Sequence, residues 1–218
     1  MNRRAAPKAN LLLLPDFVGH PICYQRVWAA LEARFDLRVA NYHVHQPYED
    51  IASLASAVRD ALGNWQPDAI VGYSFGGLVG LELAGVWQIP GPLVMIDTHR
   101  VADPGPANEA WLASRLDLIV SPQLAELVAA LVELGEIDET CIRRNLALFT
   151  AHLPRARARA IHLLRCEGSR FGEPFETSWE DFADEYATTP LPTDHAGALS
   201  HPDALHLLLN LLDTKGIA

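Results

Sequence analysis

The stretch Asp68-Ala69-Ile70-Val71-Gly72-Tyr73-Ser74-Phe75-Gly76-Gly77 constrains this chain more than any other. Asp68 to Val71 reads as a short buried strand, and Leu78 to Ala84 carries apolar residues at helical spacing, so Ser74 falls at a strand-to-helix turn. Gly72 and Gly76 lack side chains where backbones must pass closely, which lets the serine sit on a tight corner with its hydroxyl pointing out of the sheet. The helix that begins just after it presents free backbone N–H groups to the same point, a setting that stabilises negative charge. Such a corner suits a nucleophile. The plainer reading is a serine N-cap between two packing glycines.

With 218 residues, half of them hydrophobic, the chain can bury a core and is expected to form a single domain spanning 1–218. Seventeen basic residues against 27 acidic ones give a net charge of −10, which argues against nucleic acid or an anionic membrane as the main partner. Cys23, Cys141 and Cys166 are widely spaced, odd in number and form no CxxC pair. Neither a disulfide framework nor a zinc site is suggested, no metal or cofactor is expected, and a reducing cytoplasm is the simplest home. The apolar run Leu11 to Leu14 stops at Pro15-Asp16, too short for a signal sequence or a membrane span.

In chain order, strands are expected at Asn10–Leu14, Leu37–Tyr42, around Ile70 and at Leu93–Ile96. Helices are expected at Tyr24–Arg34, Glu49–Asn64 and after Ser74. Strands that alternate with helices and are apolar throughout indicate an α/β fold, a mostly parallel sheet with helices on both faces. Active groups in such folds gather at the carboxyl ends of the strands. After Asp97 the alternation breaks. Ala107–Leu118, Gln123–Leu134 and Glu139–His152 read as three consecutive helices, a helical lid insertion over about 101–159 or else an ordinary side pack. Strand character returns at Ala160–Arg165 and Tyr186–Thr189, and Asp203–Leu212 reads as a closing helix.

A serine hydroxyl is a weak nucleophile at neutral pH and needs a histidine base oriented by a buried acid. In the α/β-hydrolase arrangement the order along the chain is serine, acid, histidine. Asp97 ends the strand that follows the Ser74 helix and should emerge at the same sheet edge; Glu167, just past the next strand, is its rival. Order along the chain excludes His20, His43 and His45 as the base. The last two could suggest a metal pair, although no third ligand lies near them and a solvated pair is the simpler reading. His195 lies in a loop before the last helix, where its ring could reach both partners. His201 competes but has a capping explanation beside Ser200 and Pro202. For the oxyanion hole the backbone N–H groups of Phe75 and Phe17 are the candidates, with Asp16 an unexplained neighbour because a carboxylate there opposes a developing oxyanion.

With these residues in view, the chain resembles the thioesterase domain that ends nonribosomal peptide and polyketide synthases. The resemblance rests on Gly72 to Gly77, on Leu93 to Thr98, on Leu14-Pro15 through Gly19 with Tyr24-Gln25, and on Asp194-His195-Ala196-Gly197-Ala198-Leu199. It implies an α/β-hydrolase fold with Ser74, Asp97 and His195 as the catalytic set, favouring Asp97 over Glu167 and His195 over His201. It further implies that Ser74 takes an acyl, peptidyl or polyketide chain from the phosphopantetheine thiol of a carrier protein. The acyl-enzyme is then opened by water or by a nucleophile within the chain. Asp16 stands where the family commonly has proline or glycine, and Val101 to Arg159 matches weakly. The Arg143, Arg144, Arg155, Arg157 and Arg159 stretch could serve an acidic carrier as a basic patch, or could be solvated surface.

Two other functions use the same residues differently. A free-standing carboxylesterase would cleave small oxygen esters and ignore a loaded carrier. A lapsed carrier-binding domain would turn nothing over, and its Ser74 would resist a serine-directed phosphonate.

Overall fold

The structure, a computed structural model, describes residues 7–102, 122–169, 171, 175–214 and 217. Six strands form one sheet: β1 (Asn10–Leu14), β2 (Asp36–Val39), β3 (Ala69–Tyr73), β4 (Leu93–Ile96), β6 (Ala158–Cys166) and β8 (Ala183–Leu191), in the spatial order β2-β1-β3-β4-β6-β8. Every neighbouring pair is parallel. The carboxyl ends of β1, β3, β4 and β8 therefore open at one edge, which brings together the segments after Leu14, Tyr73, Ile96 and Leu191. Two further strands, β5 (Arg100–Val101) and β7 (Phe175–Glu176), form a separate antiparallel pair.

Strand alternation explains why the sequence is apolar without a break in these segments. Leu12, Leu14, Ile70, Met95, Ile161 and Leu163 face one core with helices α2 (Ile51–Leu62) and α3 (Phe75–Val86). Leu11, Leu13, Val71, Val94, Ile96 and Leu164 face the other, with α1 (Trp28–Glu32) and the closing helix α6 (Pro202–Thr214). Both faces are covered, as a parallel sheet requires.

Local chemistry sets the helix ends. The α2 helix starts in a capping box, where Asp50 accepts from the Ser53 N–H at 2.7 Å and the Ser53 hydroxyl accepts from the Asp50 N–H at 3.0 Å; the helix stops at Gly63, whose φ is +59°. The helix expected over Tyr24–Arg34 is shorter, because a 3-10 turn occupies Pro21–Tyr24 first. The strand expected to reach Tyr42 ends at Val39, and Tyr42–Val44 is another 3-10 turn capped by Asn41.

The insertion supplies α4 (Pro122–Glu133) and α5 (Glu139–Ala151); the expected helix Ala107–Leu118 lies outside the described residues. The basic stretch does not form one patch. Arg143 pairs with Glu139 on α5, and Arg144 reaches Gln46 and the Tyr48 ring. Arg157 instead bonds the backbone of Asp181 and Ala183 at the far end of the sheet, where β6 and β8 begin. No described helix is long and apolar enough to cross a membrane.

Candidate active site

Ser74 occupies a left-handed corner, φ +53°, between β3 and α3. Only the glycines on either side make that corner passable: a Cβ on Gly72 would lie 2.5 Å from the Gly76 backbone, and one on Gly76 would lie 2.1 Å from the Leu14 carbonyl oxygen. The corner is held from below by the Ser74 N–H donating to Ile96 O at 2.8 Å and by the Thr98 hydroxyl donating to Ser74 O at 3.0 Å. The Ser74 side chain makes no cap bond to α3, which removes the N-cap reading.

Asp97 follows β4 directly and is fully buried, with φ +44°. Its Oδ2 is 2.8 Å from His195 Nδ1, and its Oδ1 accepts the Cys166 N–H at 3.0 Å. Burial alone would raise this carboxyl; the hydrogen bond from His195, helped by the charge of that ring, outweighs it and holds the group below its ordinary range. Glu167, the rival acid, is exposed.

His195 is 2% exposed. Its ring stacks on Tyr73, the residue before Ser74, at 5.3 Å between centroids, and Phe171 meets it edge-on at 5.0 Å. The Tyr73 hydroxyl donates to His195 O at 2.8 Å, so the residue beneath the serine also fixes the loop that carries the histidine. His201, the competitor, accepts the Asp203 N–H at the start of α6 and has the capping role.

Asp97, His99 and His195 also place donor atoms within 4.8 Å of one another, the geometry of a small metal site. Asp97 and one ring nitrogen of each histidine already have partners. Both Asp97 oxygens are bonded, and His99 Nδ1 lies 3.1 Å from Asp97 O while its ring stacks on Phe171 at 4.0 Å. Burial drives His99 down to about 4 despite the nearby carboxylate, so it is a neutral wall beside the pair. His43, read in sequence as one of a possible metal pair with His45, is held by other groups. His43 bridges the Val18 carbonyl, 2.8 Å from Nε2, and the Asp138 N–H, 3.1 Å from Nδ1.

The loop after β1 supplies the second half of the site. Gly19 N–H closes a turn onto Asp16 O at 3.0 Å, and Asp16 Oδ1 accepts the Val18 N–H at 2.9 Å. This leaves the Phe17 N–H without an acceptor among the described residues. The Phe75 N–H opens α3, where no preceding turn offers it a carbonyl. Tyrosines brace the loop's base: Tyr24 donates to Leu14 O at 2.8 Å and Tyr42 to Pro15 O at 3.1 Å.

One contributor was invisible in the sequence. Asn145 on α5 is fully buried; its Nδ2 donates to Phe17 O at 2.9 Å while its Oδ1 accepts from the Tyr48 hydroxyl at 2.6 Å. An insertion helix thus pins the loop that carries Phe17. The only local hint is an amide on the α5 face that also carries the buried Cys141 and Phe149.

The family model described as Thioesterase domain matches residues 9–160. Among curated proteins, none matches the chain by sequence. Solved structures are similar in fold at low identity. ClbQ from the colibactin NRPS/PKS pathway has a TM-score of 0.74 at 18% identity, covering 96% of this chain and 99% of that one. BorB, the type II thioesterase of the borrelidin cluster, has 0.67 at 23%, covering 97% and 95%. SrfTE, the thioesterase domain that cyclises surfactin, has 0.65 at 18%, covering 95% and 92%. The family match runs over the corner, the acid-bearing strand and the loop after β1, and on that ground this chain belongs to the thioesterase domain family, with the α/β-hydrolase fold.

Proposed function

We propose that the protein releases acyl, peptidyl or polyketide chains from the phosphopantetheine thioester of a carrier protein through a Ser74 acyl-enzyme. The observation that carries this reading is the buried Asp97–His195 hydrogen bond, whose imidazole stacks on Tyr73, the residue before Ser74, together with a Ser74 side chain that does not cap its own helix. Asp97 holds the imidazole with Nδ1–H toward the carboxylate, which leaves Nε2 as the base. Ser74 Oγ attacks the thioester carbonyl as Nε2 takes its proton. The oxyanion is held by the Phe17 and Phe75 N–H groups. Collapse expels the pantetheine thiolate, which receives that proton from His195. Water, or a hydroxyl or amine of the chain itself, then attacks the acyl-enzyme by the same route and regenerates Ser74.

The helices of the insertion act as a cap that shelters the acyl-enzyme and favours an internal nucleophile over water. Loading a purified carrier with an acyl-pantetheine tests the proposal. The expected result is release of the chain with labelling of Ser74 by a fluorophosphonate, both lost in Ser74→Ala. Cleavage of simple esters with none of the loaded carrier would instead favour a carboxylesterase.

A further inference from the structure

Asp16 is a buried acid at this edge that the proposed reaction does not use. It is 3% exposed, and one oxygen, Oδ1, accepts the Val18 N–H at 2.9 Å. The Gly19 N–H also favours the carboxylate, but among the described residues no side chain donates to the other oxygen and no basic side chain pairs with the group. The residue lines a cavity of about 150 Å³ shared with Tyr73, Ala196 and Leu199, and with Leu124 and Leu127 of α4. Tyr73 and Ala196 are the chain neighbours of Ser74 and His195, and Asp16 that of Phe17, so the cavity is lined by residues next in the chain to the proposed reacting groups. Arg26 is exposed and also borders it, without an ion pair to Asp16.

A carboxylate one residue from the Phe17 N–H works against the oxyanion that this N–H is to hold, because charges interact strongly in a site shielded from water. Burying it unpaired is also costly. Burial pushes its carboxyl up to about 6, against the pull of the Val18 bond and the His195 charge. Both penalties vanish when a cation sits in the cavity against the free oxygen. A protonated amine fits: it is compact, offers up to three donors, and can be carried on the acyl chain next to the thioester carbonyl.

We propose that Asp16 is a specificity residue that selects acyl chains carrying a protonated amine close to the thioester carbonyl, aminoacyl thioesters being the simplest. The ammonium group enters the cavity, pairs with the carboxylate and cancels the charge beside the oxyanion loop. A neutral chain leaves that charge uncompensated and reacts more slowly. The inference rests on the Ser74 acyl-transfer reading and adds the class of acyl group to it.

The test compares L-alanyl and propionyl thioesters of N-acetylcysteamine, which differ by the amine, at pH 7.5 with spontaneous hydrolysis subtracted. The wild-type protein is expected to favour the alanyl thioester about tenfold or more in kcat/KM, the size of one charge-assisted hydrogen bond. Asp16→Asn keeps the acceptor for Val18 and removes the charge. It is expected to lower kcat/KM for the alanyl substrate and raise it for the propionyl one, so that the two converge. Equal rates in the wild type overturn the proposal without recourse to any variant, and so does an equal loss on both substrates in Asp16→Asn, which marks a loop-building role. Absence of turnover on either substrate together with an unlabelled Ser74 overturns the acyl-transfer reading and this inference with it.

Discussion

His195 Nδ1 lies 2.8 Å from Asp97 Oδ2, although 98 positions separate the two residues, and both side chains are almost completely withdrawn from solvent. The carboxylate is not free to turn, because its second oxygen holds the Cys166 N–H. Replacing Asp97 with Asn puts an NH₂ where one of two donors now points, so either His195 loses its orientation or Cys166 loses its acceptor. Asp97→Asn is expected to lower kcat by about 10³–10⁴-fold with the fold retained. Stopped-flow release of thiol from a loaded carrier measures it, and a loss below about tenfold would remove Asp97 from the relay.

Asn145→Ala removes the donor to Phe17 O and takes from the Tyr48 hydroxyl its amide acceptor, leaving it only the Cys141 sulfur at 3.2 Å. The expected cost is about 2 kcal/mol of stability, together with a fall in kcat of about tenfold while KM stays nearly constant, as befits loss of an interaction made in the transition state. Tyr48→Phe, which leaves the amide in place but frees it to turn, should give a smaller fall in kcat. Equal kcat in all three proteins would show that Asn145 only packs.

Gly76→Ala would drive a methyl group into the Leu14 carbonyl, 2.1 Å from the new Cβ, and neither backbone can give way without moving the Ser74 corner. The expected loss is about 3 kcal/mol or more. Urea unfolding checks it: a midpoint within error of the wild type would mean that β1 and α3 approach less closely than described.

Asp16 makes stability depend on pH in a direction opposite to that of a paired acid. Burial first of all lifts its carboxyl from the ordinary 3.8 to about 6, so the folded protein holds the proton more tightly than the unfolded chain does. Stability therefore falls as pH rises from about 4 through 6, and the penalty, about 3 kcal/mol at most, is fully present above that range. Asp16→Asn removes the titration while leaving one unpaired amide. Its melting temperature, compared with wild type, should rise from little or no gain near pH 4 to a gain of several degrees at pH 8. A difference independent of pH would contradict the buried, unpaired state of this group.

Asp97 contributes with the opposite sign. Its folded pKa is depressed, so its stabilisation is present above the ordinary carboxylate range and is lost as the protein is acidified through the lowered value. Acid unfolding of Asp97→Asn should accordingly lack part of the wild-type transition. Superimposable acid-unfolding curves would show that the His195 bond adds no net stability.

The segments read correctly from sequence are those whose cause is local. The unbroken apolar runs at Leu11–Leu14, Ile70–Val71 and Leu93–Ile96 are read from the sequence alone because a parallel strand with helices on both faces needs apolar residues on each. The Ser74 corner is equally plain, since close backbone passage admits only glycine at 72 and 76. Order along the chain left Glu167 and His201 as rivals, and the resemblance favoured Asp97 and His195. Their 2.8 Å contact depends on how β4 and the loop after β8 meet at one sheet edge. The Asn145 bond to Phe17 and the enclosure of Asp16 could not be read from the sequence, which offered only an amide on an apolar helix face and an unexplained acid in a loop. An amide in a helix and an acid in a loop look like solvated residues until packing from α5, 128 positions away from Phe17, and from α4 excludes the water around them. Local chain chemistry thus determined the strands and the corner and narrowed the candidates for the reactive groups, while only the tertiary packing decided which polar groups lost their water and therefore had to find one another.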